Sequence, residues 1–312
     1  MNNEGIMCTP APTCVACGSN GQVVYTDLRD SLFGSPGNWS LRRCYCGLSW
    51  LDPQPRVDEI YKLYAEYYTH NSSAEGQYHG KGATAILKRT LAILFWWKQA
   101  VFQTDLFHLQ GMKPGNLLEV GCGNGDFLAA AVRSGWQAFG IDFDEKAIAA
   151  ARARMIPGLK AAVGDIYSHK LSDDAFDAIV MNNVIEHLPD PPRVFAACHR
   201  LLKKGGRLVM ITPNIDALGL TVYGRHWRGL EIPRHLYIFN NKTLRTFAKK
   251  AGFRQITAFS SIGKYMHQAS AEIAIKAGAT VDVNPTKLRR KAQLLNLFGQ
   301  SRGEWVVLVA EK

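Results

Sequence analysis

Leu117-Leu118-Glu119-Val120-Gly121-Cys122-Gly123-Asn124-Gly125 is the stretch on which the fold turns. The short run ending at Val120 reads as a buried strand, and the glycines after it as a tight turn into a helix. Glycines at alternate positions permit positive φ and let a ligand approach the backbone without meeting Cβ atoms. Such a turn alone fits any nucleotide-binding βα unit. The dinucleotide pattern needs a further glycine at position 126, where this chain has Asp126. Glu119, at the strand end, suits a ligand with a cationic amine rather than a pyrophosphate.

Outward from this turn, short apolar runs alternate with helical patterns. Strands are predicted at 117–120, 137–141, 160–163, 176–181, 207–212, 254–260 and 305–310. Helices are predicted at 126–134, 145–154, 191–202 and 242–251, with Gly205-Gly206 ending the third and Gly252 the fourth. Strands alternating with helices imply βαβ units, so the fold class is α/β, Rossmann-like, with a mostly parallel sheet covered on both faces. Ligands bind such sheets at the carboxyl ends of the strands. The functional loops are therefore those after Val120, Ile141, Met181 and Thr212.

The next strand ends bear acidic residues in order. Asp142 follows Gly121 by 21 residues and can accept both hydroxyls of a ribose. Gly164-Asp165-Ile166 follows the third strand, where Asp165 can accept from an adenine amine while Ile166 packs on the ring. The fourth leads into Asn182-Asn183-Val184-Ile185-Glu186-His187-Leu188. Together with Gly140-Ile141-Asp142 and Leu202-Lys203-Lys204-Gly205-Gly206, this ordered set resembles the class I S-adenosylmethionine-dependent methyltransferases. The resemblance covers roughly residues 114–260 and 305–310. It implies a seven-stranded sheet with one antiparallel C-terminal strand. It also implies cofactor contacts from Glu119, Gly121, Gly123, Asp142, Asp165 and Asn182. Glu186-His187-Leu188 and Thr212-Pro213-Asn214 place the chain near the small-molecule branch, similar to quinone and sugar methyltransferases.

Methyl transfer from a sulfonium is an in-line displacement of an already activated group. The protein aligns the acceptor and handles one proton. The fourth-strand loop lacks the Asn/Asp-Pro-Pro-Tyr/Phe run used on planar exocyclic nitrogens, and no acidic cluster suggests a dedicated magnesium site. The long loop from Pro213 to Asn240 is dense in His, Arg, Tyr and Trp, which suits a polar or anionic acceptor. His235 is the leading general base and His187 the second; each also reads as an ordinary structural histidine. Arg234 and Arg228 fit either a clamp for a carboxylate or phosphate, or a loop-stabilising ion pair with Glu231.

Five of seven cysteines fall in the first 46 residues. Cys14-x-x-Cys17 and Cys44-x-Cys46, with 26 residues between Cys17 and Cys44, have the donor set of a structural tetrahedral zinc site. One intervening residue in the second pair departs from the common ribbon, and Cys8 is a substitute ligand; the alternative is a knuckle that packs without metal. With Cys46-Gly47-Leu48-Ser49-Trp50, Pro53-Gln54-Pro55 and Tyr61, Tyr64, Tyr67 and Tyr68, this front end resembles the zinc-ribbon leader of some bacterial sugar and polysaccharide methyltransferases. That resemblance implies a saccharide-type acceptor. The segments are then a Cys-rich leader at 1–58, a helical linker or lid at 59–113, and a cofactor domain at 114–312 with an insertion at about 263–303.

The N-terminus lacks a secretion signal, and the longest apolar run, Leu91 to Trp97, is short of the ~20 residues that span a bilayer. A cytoplasmic protein is expected. Its net charge of +11 is uneven: residues 242–312 hold thirteen basic and four acidic residues, +9, against 24 and 22 before them, +2. Lys287-Leu288-Arg289-Arg290-Lys291 followed by Leu294-Leu295-x-Leu297-Phe298 fits a solvated face or a peripheral contact with an anionic membrane, a lipid-linked glycan or RNA. Aromatics are not interleaved with the basic run, which disfavours nucleic acid. The expectation is an S-adenosylmethionine-dependent enzyme that O-methylates a sugar, glycan precursor or related metabolite. C- or N-methylation of a sugar nucleotide and RNA methylation are the alternatives. The sequence leaves the oligomeric state open.

Overall fold

The structure, a computed structural model, describes residues 1–64, 106, 108–263 and 265–312. Its strands are β1 Asn2–Asn3, β2 Ile6–Thr9, β3 Gln22–Leu28, β4 Trp39–Arg43, β5 Ser49–Asp52, β6 Gln54–Pro55, β7 Asn116–Val120, β8 Gln137–Asp142, β9 Leu159–Val163, β10 Phe176–Asn182, β11 Leu202–Pro213, β12 Tyr237–Ile238, β13 Arg254–Ser261 and β14 Trp305–Glu311. The helices are α1 Asp126–Arg133, α2 Glu145–Ala153, α3 Pro191–Leu201, α4 Leu218–Tyr223, α5 Asn241–Lys250, α6 Met266–Lys276 and α7 Pro285–Leu297. The amphipathic helix expected around Leu91–Phe102, within the 59–113 linker or lid, lies outside the described residues.

Seven strands form the main sheet in the order β13-β14-β11-β10-β7-β8-β9. The pairs β7–β8 and β8–β9 are parallel, and β13–β14 is antiparallel. This is the Rossmann-like sheet expected, with all seven strands where the apolar runs put them. One boundary differs. Gly205-Gly206 does not follow a helix end but lies inside β11, which starts at Leu202; Gly205 takes φ +77° there, so the strand turns locally without stopping.

Two compact units share the chain. One comprises Thr69–Val180 and Leu201–Val209. In it, α1 starts directly after Gly125 and buries Phe127, Leu128 and Ala131. Asp126 in its first turn complements the helix dipole and pairs with Arg154 at 2.5 Å. Asp144 caps α2 by accepting from Lys146 N and Ala147 N, a cap that contributes about 1 kcal/mol. A Cβ on Gly125 would come within 3.0 Å of the Ala151 Cβ, so this glycine lets α1 and α2 approach.

The other unit comprises Met1–Tyr68, Met181–Arg200 and Met210–Lys312. Here β1, β2 and β6 form one small sheet, and β12-β5-β4-β3 another. The second is antiparallel and joins the N-terminal leader to residues almost two hundred positions later: Tyr237 pairs Trp50 and Ile238 pairs Ser49. Leu51 N also donates to Leu236 O at 2.9 Å. The leader strands carry buried Trp39, Leu41, Trp50 and Leu51. The insertion forms the helical pair α6 and α7.

Candidate active site

The glycine turn follows β7 as the sequence requires. Gly121, Gly123 and Gly125 all have positive φ, at +72°, +49° and +78°. Gly121 N and Cys122 N both donate to Ile141 O, which ties the turn to the end of β8. A Cβ built on Gly123 meets nothing within 4 Å, so this residue faces open space, in contrast to Gly125. Asp142 uses one lone pair on each oxygen: Oδ2 accepts from Gly123 N at 2.9 Å and Oδ1 from Asp144 N at 3.0 Å.

Glu119 is 4% exposed, and its Oε2 is buried with no hydrogen-bond partner. Burial, with the charges of Asp142 and Asp126, pushes its carboxyl well above the usual range. Burial likewise raises Asp142. Two buried acidic groups with an orphan oxygen fit a cationic ligand that hydrogen-bonds. Asp165 Oδ1 accepts from Tyr167 N and Ser168 N, each at 2.7 Å, which fixes the turn after β9, and Ile166 is buried beside it.

In the other unit, Asn182 ends β10 and is half-buried. Asn183 adopts φ +55° and donates its N–H to Ile211 O at 2.9 Å. This bends the chain into the turn Ile185–His187. Glu186 is fully buried; its Oε2 accepts from Thr212 Oγ1 at 2.9 Å, while Oε1 has no partner. Burial pushes its carboxyl up to about 8.

Residues 229–240, in the loop whose His, Arg, Tyr and Trp read as suited to a polar acceptor, are all buried. Asp30 is the reason. Arg234 Nη1 and Nη2 donate to its two carboxylate oxygens at 2.7 and 3.0 Å, and both side chains have 0% exposure. The guanidinium lies over Phe33 and also donates to Glu231 Oε1 at 3.2 Å. Arg228 pairs with Glu231 Oε2. Both arginines therefore form the loop-stabilising network rather than a free anion clamp. Burial opposes ionisation of Glu231, but His235, Arg228 and His187 around it hold the carboxyl at about 2.

His235 and His187 meet edge to face, with centroids 4.7 Å apart. His235 Nδ1 lies 2.9 Å from Gly229 O, and His187 Nδ1 lies 3.1 Å from Arg234 O and 3.0 Å from Tyr64 Oη. A carbonyl accepts only, so each Nδ1 carries the proton and each Nε2 keeps its lone pair. Burial keeps both rings neutral, His235 down to about 3. Glu231 Oε2 lies 3.7 Å from His235 Nε2, a distance for charge stabilisation rather than a hydrogen bond. Glu186, His187 and His235 each offer one ligand atom within 4.8 Å of the others. This grouping did not show in the sequence, because His235 is 48 residues from His187.

Residues 98–258, 161 of the 312, match the family described as Methyltransferase domain. The chain belongs to that family. It is a class I S-adenosylmethionine-dependent methyltransferase. The ubiquinone biosynthesis O-methyltransferase of Pseudomonas paraeruginosa is 33% identical over 176 residues, which cover 54% of this chain and 70% of that protein. An uncharacterized 37.1 kDa protein in transposon TN4556 of Streptomyces fradiae is 36% identical over 112 residues, spanning 34% of this chain and about a third (32%) of its own length. Phosphoethanolamine N-methyltransferase 2 of Haemonchus contortus, solved with phosphomonomethylethanolamine and S-adenosylhomocysteine, shares the fold at a TM-score of 0.53 and 19% identity, over 94% of this chain and 69% of that one.

In this methyltransferase the cysteine pairs of the leader come together. Cys14 N donates to Ser19 O and Gly18 N to Cys14 O, forming one knuckle. Cys44 N donates to Leu48 O and Gly47 N to Cys44 O, forming the other. Cys14 Sγ lies 3.6 Å from Cys46 Sγ, and Cys17 Sγ 3.4 Å from Cys44 Sγ, with all four within 4.8 Å. Zn–S bonds of about 2.3 Å in a tetrahedron set S···S edges near ~3.8 Å, so the donor set fits zinc. Cys8 lies apart, its thiol on Ile6 O at 3.4 Å. The knuckles sit against α5 and the long loop: Lys250 Nζ at the end of α5 donates to Ala16 O at 2.6 Å, and Arg43 pairs with Asp216 of the loop, which also accepts from Asn240 Nδ2.

A second buried polar group escaped the sequence reading. Glu304, at 0% exposure just before β14, accepts from Gly219 N at 3.1 Å and Trp227 Nε1 at 2.6 Å. His267 Nε2 lies 3.3 Å from Glu304 Oε1 without hydrogen-bond geometry. Nothing local marks the pair, since 37 residues separate them.

Proposed function

We propose that the protein moves the methyl group of S-adenosylmethionine onto a hydroxyl oxygen of a small-molecule acceptor. Glu119 takes the cofactor amine, Gly121 and Gly123 give backbone approach, Asp142 holds the ribose hydroxyls, Asp165 accepts from the adenine amine with Ile166 on the ring, and Asn182 is the further cofactor contact that the family resemblance implies. The observation that carries the cofactor assignment is the orphaned, buried Glu119 Oε2. On the acceptor side His235 is the base, with His187 second. A neutral imidazole with Nε2 unprotonated and Glu231 behind it takes a hydroxyl proton as the oxygen attacks the methyl, and the carboxylate offsets the resulting imidazolium. A divalent cation held by Glu186, His187 and His235 would lower the acceptor hydroxyl's pKa instead.

The acceptor we favour is a sugar or glycan precursor, anionic or lipid-linked, on the strength of the cysteine-knuckle leader at 1–58. A phenolic quinone precursor is the second reading, favoured by the name of the ubiquinone biosynthesis relatives. C- or N-methylation and RNA methylation draw no support from the site. Cys14, Cys17, Cys44 and Cys46 hold a structural zinc. We place the enzyme in the cytoplasm, where seven unpaired cysteines match a reducing compartment; no helix among the described residues is long and apolar enough to cross a membrane.

A transfer screen with methyl-labelled cofactor, against sugar nucleotides, glycan precursors, catechol-type quinone precursors and RNA, tests this. Label on a hydroxylated small molecule is expected. Label only on RNA or on nitrogen refutes the reading, and failure to bind S-adenosylmethionine in calorimetry removes the cofactor assignment as well.

A further inference from the structure

The insertion between β13 and β14 has no part in the methyl-transfer reading, yet one of its faces has an unusual composition. α7 packs inward with Leu288 and Ala292, at 5% and 0% exposure. With 3.6 residues per turn, Lys287, Arg290, Lys291, Leu294, Leu297 and Phe298 fall within an arc of about 120° on the opposite side. All six are exposed. Leu294, Leu297 and Phe298 are 57%, 51% and 81% exposed. A single exposed leucine is ordinary. Three large apolar side chains in one stripe, continuing a row of three cations, are not what a solvated helix face needs.

Charge narrows the occupant. α7 contains no acidic residue. Residues 265–303 hold six basic side chains against two acidic ones, Glu272 and Asp282. Glu272 accepts from Gln268 Nε2 on its own helix. Arg289 turns inward, its Nε buried, and does not belong to the stripe. Cations at one end of the stripe and Leu-Leu-Phe at the other match a boundary with phosphates outside and hydrocarbon deeper in. Single-stranded nucleic acid would use rings alternating with the cations so that bases stack between phosphate contacts. Here rings and cations are segregated along the axis.

We infer that α7 is an interfacial anchor for an anionic lipid bilayer: Lys287, Arg290 and Lys291 meet the headgroups while Leu294, Leu297 and Phe298 enter the acyl boundary. The anchor stands apart from the methyl acceptor's identity and from the cofactor assignment. A lipid-linked acceptor would give it an evident use.

Sedimentation of the full-length protein with phosphatidylcholine vesicles, with and without about 30% phosphatidylglycerol, tests the inference. Retention on the anionic vesicles, falling as salt rises, is expected. Each basic residue near such a surface contributes about 1 kcal/mol, so Lys287→Gln, Arg290→Gln and Lys291→Gln together should lower partitioning about a hundredfold. Leu294→Ser, Leu297→Ser and Phe298→Ser together should abolish retention on either vesicle. Both variants should bind S-adenosylmethionine like the parent in calorimetry, because every altered side chain is exposed. No retention of the parent overturns the anchor, as does retention unchanged in both variants. Loss of RNA binding in the cation variant with no vesicle binding by the parent, or conversion of a dimer to a monomer by the serine variant without vesicle binding, also overturns it.

Discussion

Replacing Glu304 with Gln should reveal a pH dependence of stability that the parent protein conceals. Burial pushes Glu304 up to about 7 from an ordinary 4.5, and pushes His267 down to about 4 from 6.5. Between pH 4.5 and 6.5 the unfolded chain carries a carboxylate and an imidazolium, one proton in all. The folded pair carries a carboxylic acid and a neutral imidazole, again one proton. Equal proton counts mean that the pair adds almost no slope to stability in that window. In Glu304→Gln only His267 remains. A histidine with depressed folded pKa gives stability that is present above its unfolded pKa and lost as pH falls through the folded one. Stability should therefore rise by about 3 kcal/mol between pH 4 and 6.5 relative to the parent. The Gln oxygen retains the acceptor for Trp227 Nε1, and its amide nitrogen gives up the bond from Gly219 N, a pH-independent cost that leaves the slopes unchanged. His267→Asn leaves the acid with its raised pKa, whose contribution is full below its unfolded pKa and lost as pH rises through the folded one. That variant should lose about 3 kcal/mol between pH 4.5 and 7. Urea unfolding across pH 4–7.5, with each variant referred to the parent at the same pH, isolates these slopes from other titrating groups. Slopes of opposite sign are expected. Two variants that track the parent, or that slope in the same direction, would refute the neutral-pair assignment.

Other consequences are quicker to check. Asp30→Ala takes from Arg234 the carboxylate that binds both of its terminal nitrogens, and breaking a buried pair of this kind costs about 3–5 kcal/mol; an unchanged urea midpoint would show that the leader does not lock the loop. Glu119→Gln keeps the shape of the cofactor turn and cannot ionise beside the cofactor amine, so S-adenosylmethionine affinity should drop about ten- to a hundredfold in calorimetry, the worth of a hydrogen bond between charged groups. His235→Ala should reduce turnover 10²–10⁴-fold with little change in cofactor affinity; near-parent turnover discards it as the base. Atomic emission should find one zinc per chain in the parent and none in Cys14→Ser/Cys17→Ser, and a metal-free parent protein ends the zinc assignment.

What the sequence made legible was what depends on near neighbours. The seven strands, the left-handed glycines and the acidic strand ends all follow from patterns within a few residues, and the structure puts them where those patterns lead. The error at Gly205-Gly206 has the same local origin: a glycine pair reads as a stop, while pairing with neighbouring strands carries β11 through it. The acceptor side was opaque because its determinants are remote. Arg234 reads equally as an anion clamp or as a partner of Glu231, and only Asp30, 204 residues earlier, decides for the ion-pair network. His235 reads as a general base or an ordinary structural histidine, and its burial shows only once β5 pairs with β12 across the loop. These two facts change the meaning of the cysteine leader. A knuckle tethered by its own ligands needs no further partner to be stable. This one pairs a strand with residues 237–238, supplies the carboxylate that neutralises Arg234, and presents Tyr64, beyond its last strand, to His187. The leader is thus part of the wall behind both histidines. Removing a zinc bound by its four cysteines should disturb acceptor turnover before it disturbs cofactor binding, because the leader's contacts fall on the 213–240 loop, on His187 and on α5, and the glycine turn keeps its own hydrogen bonds to Ile141 and Asp142.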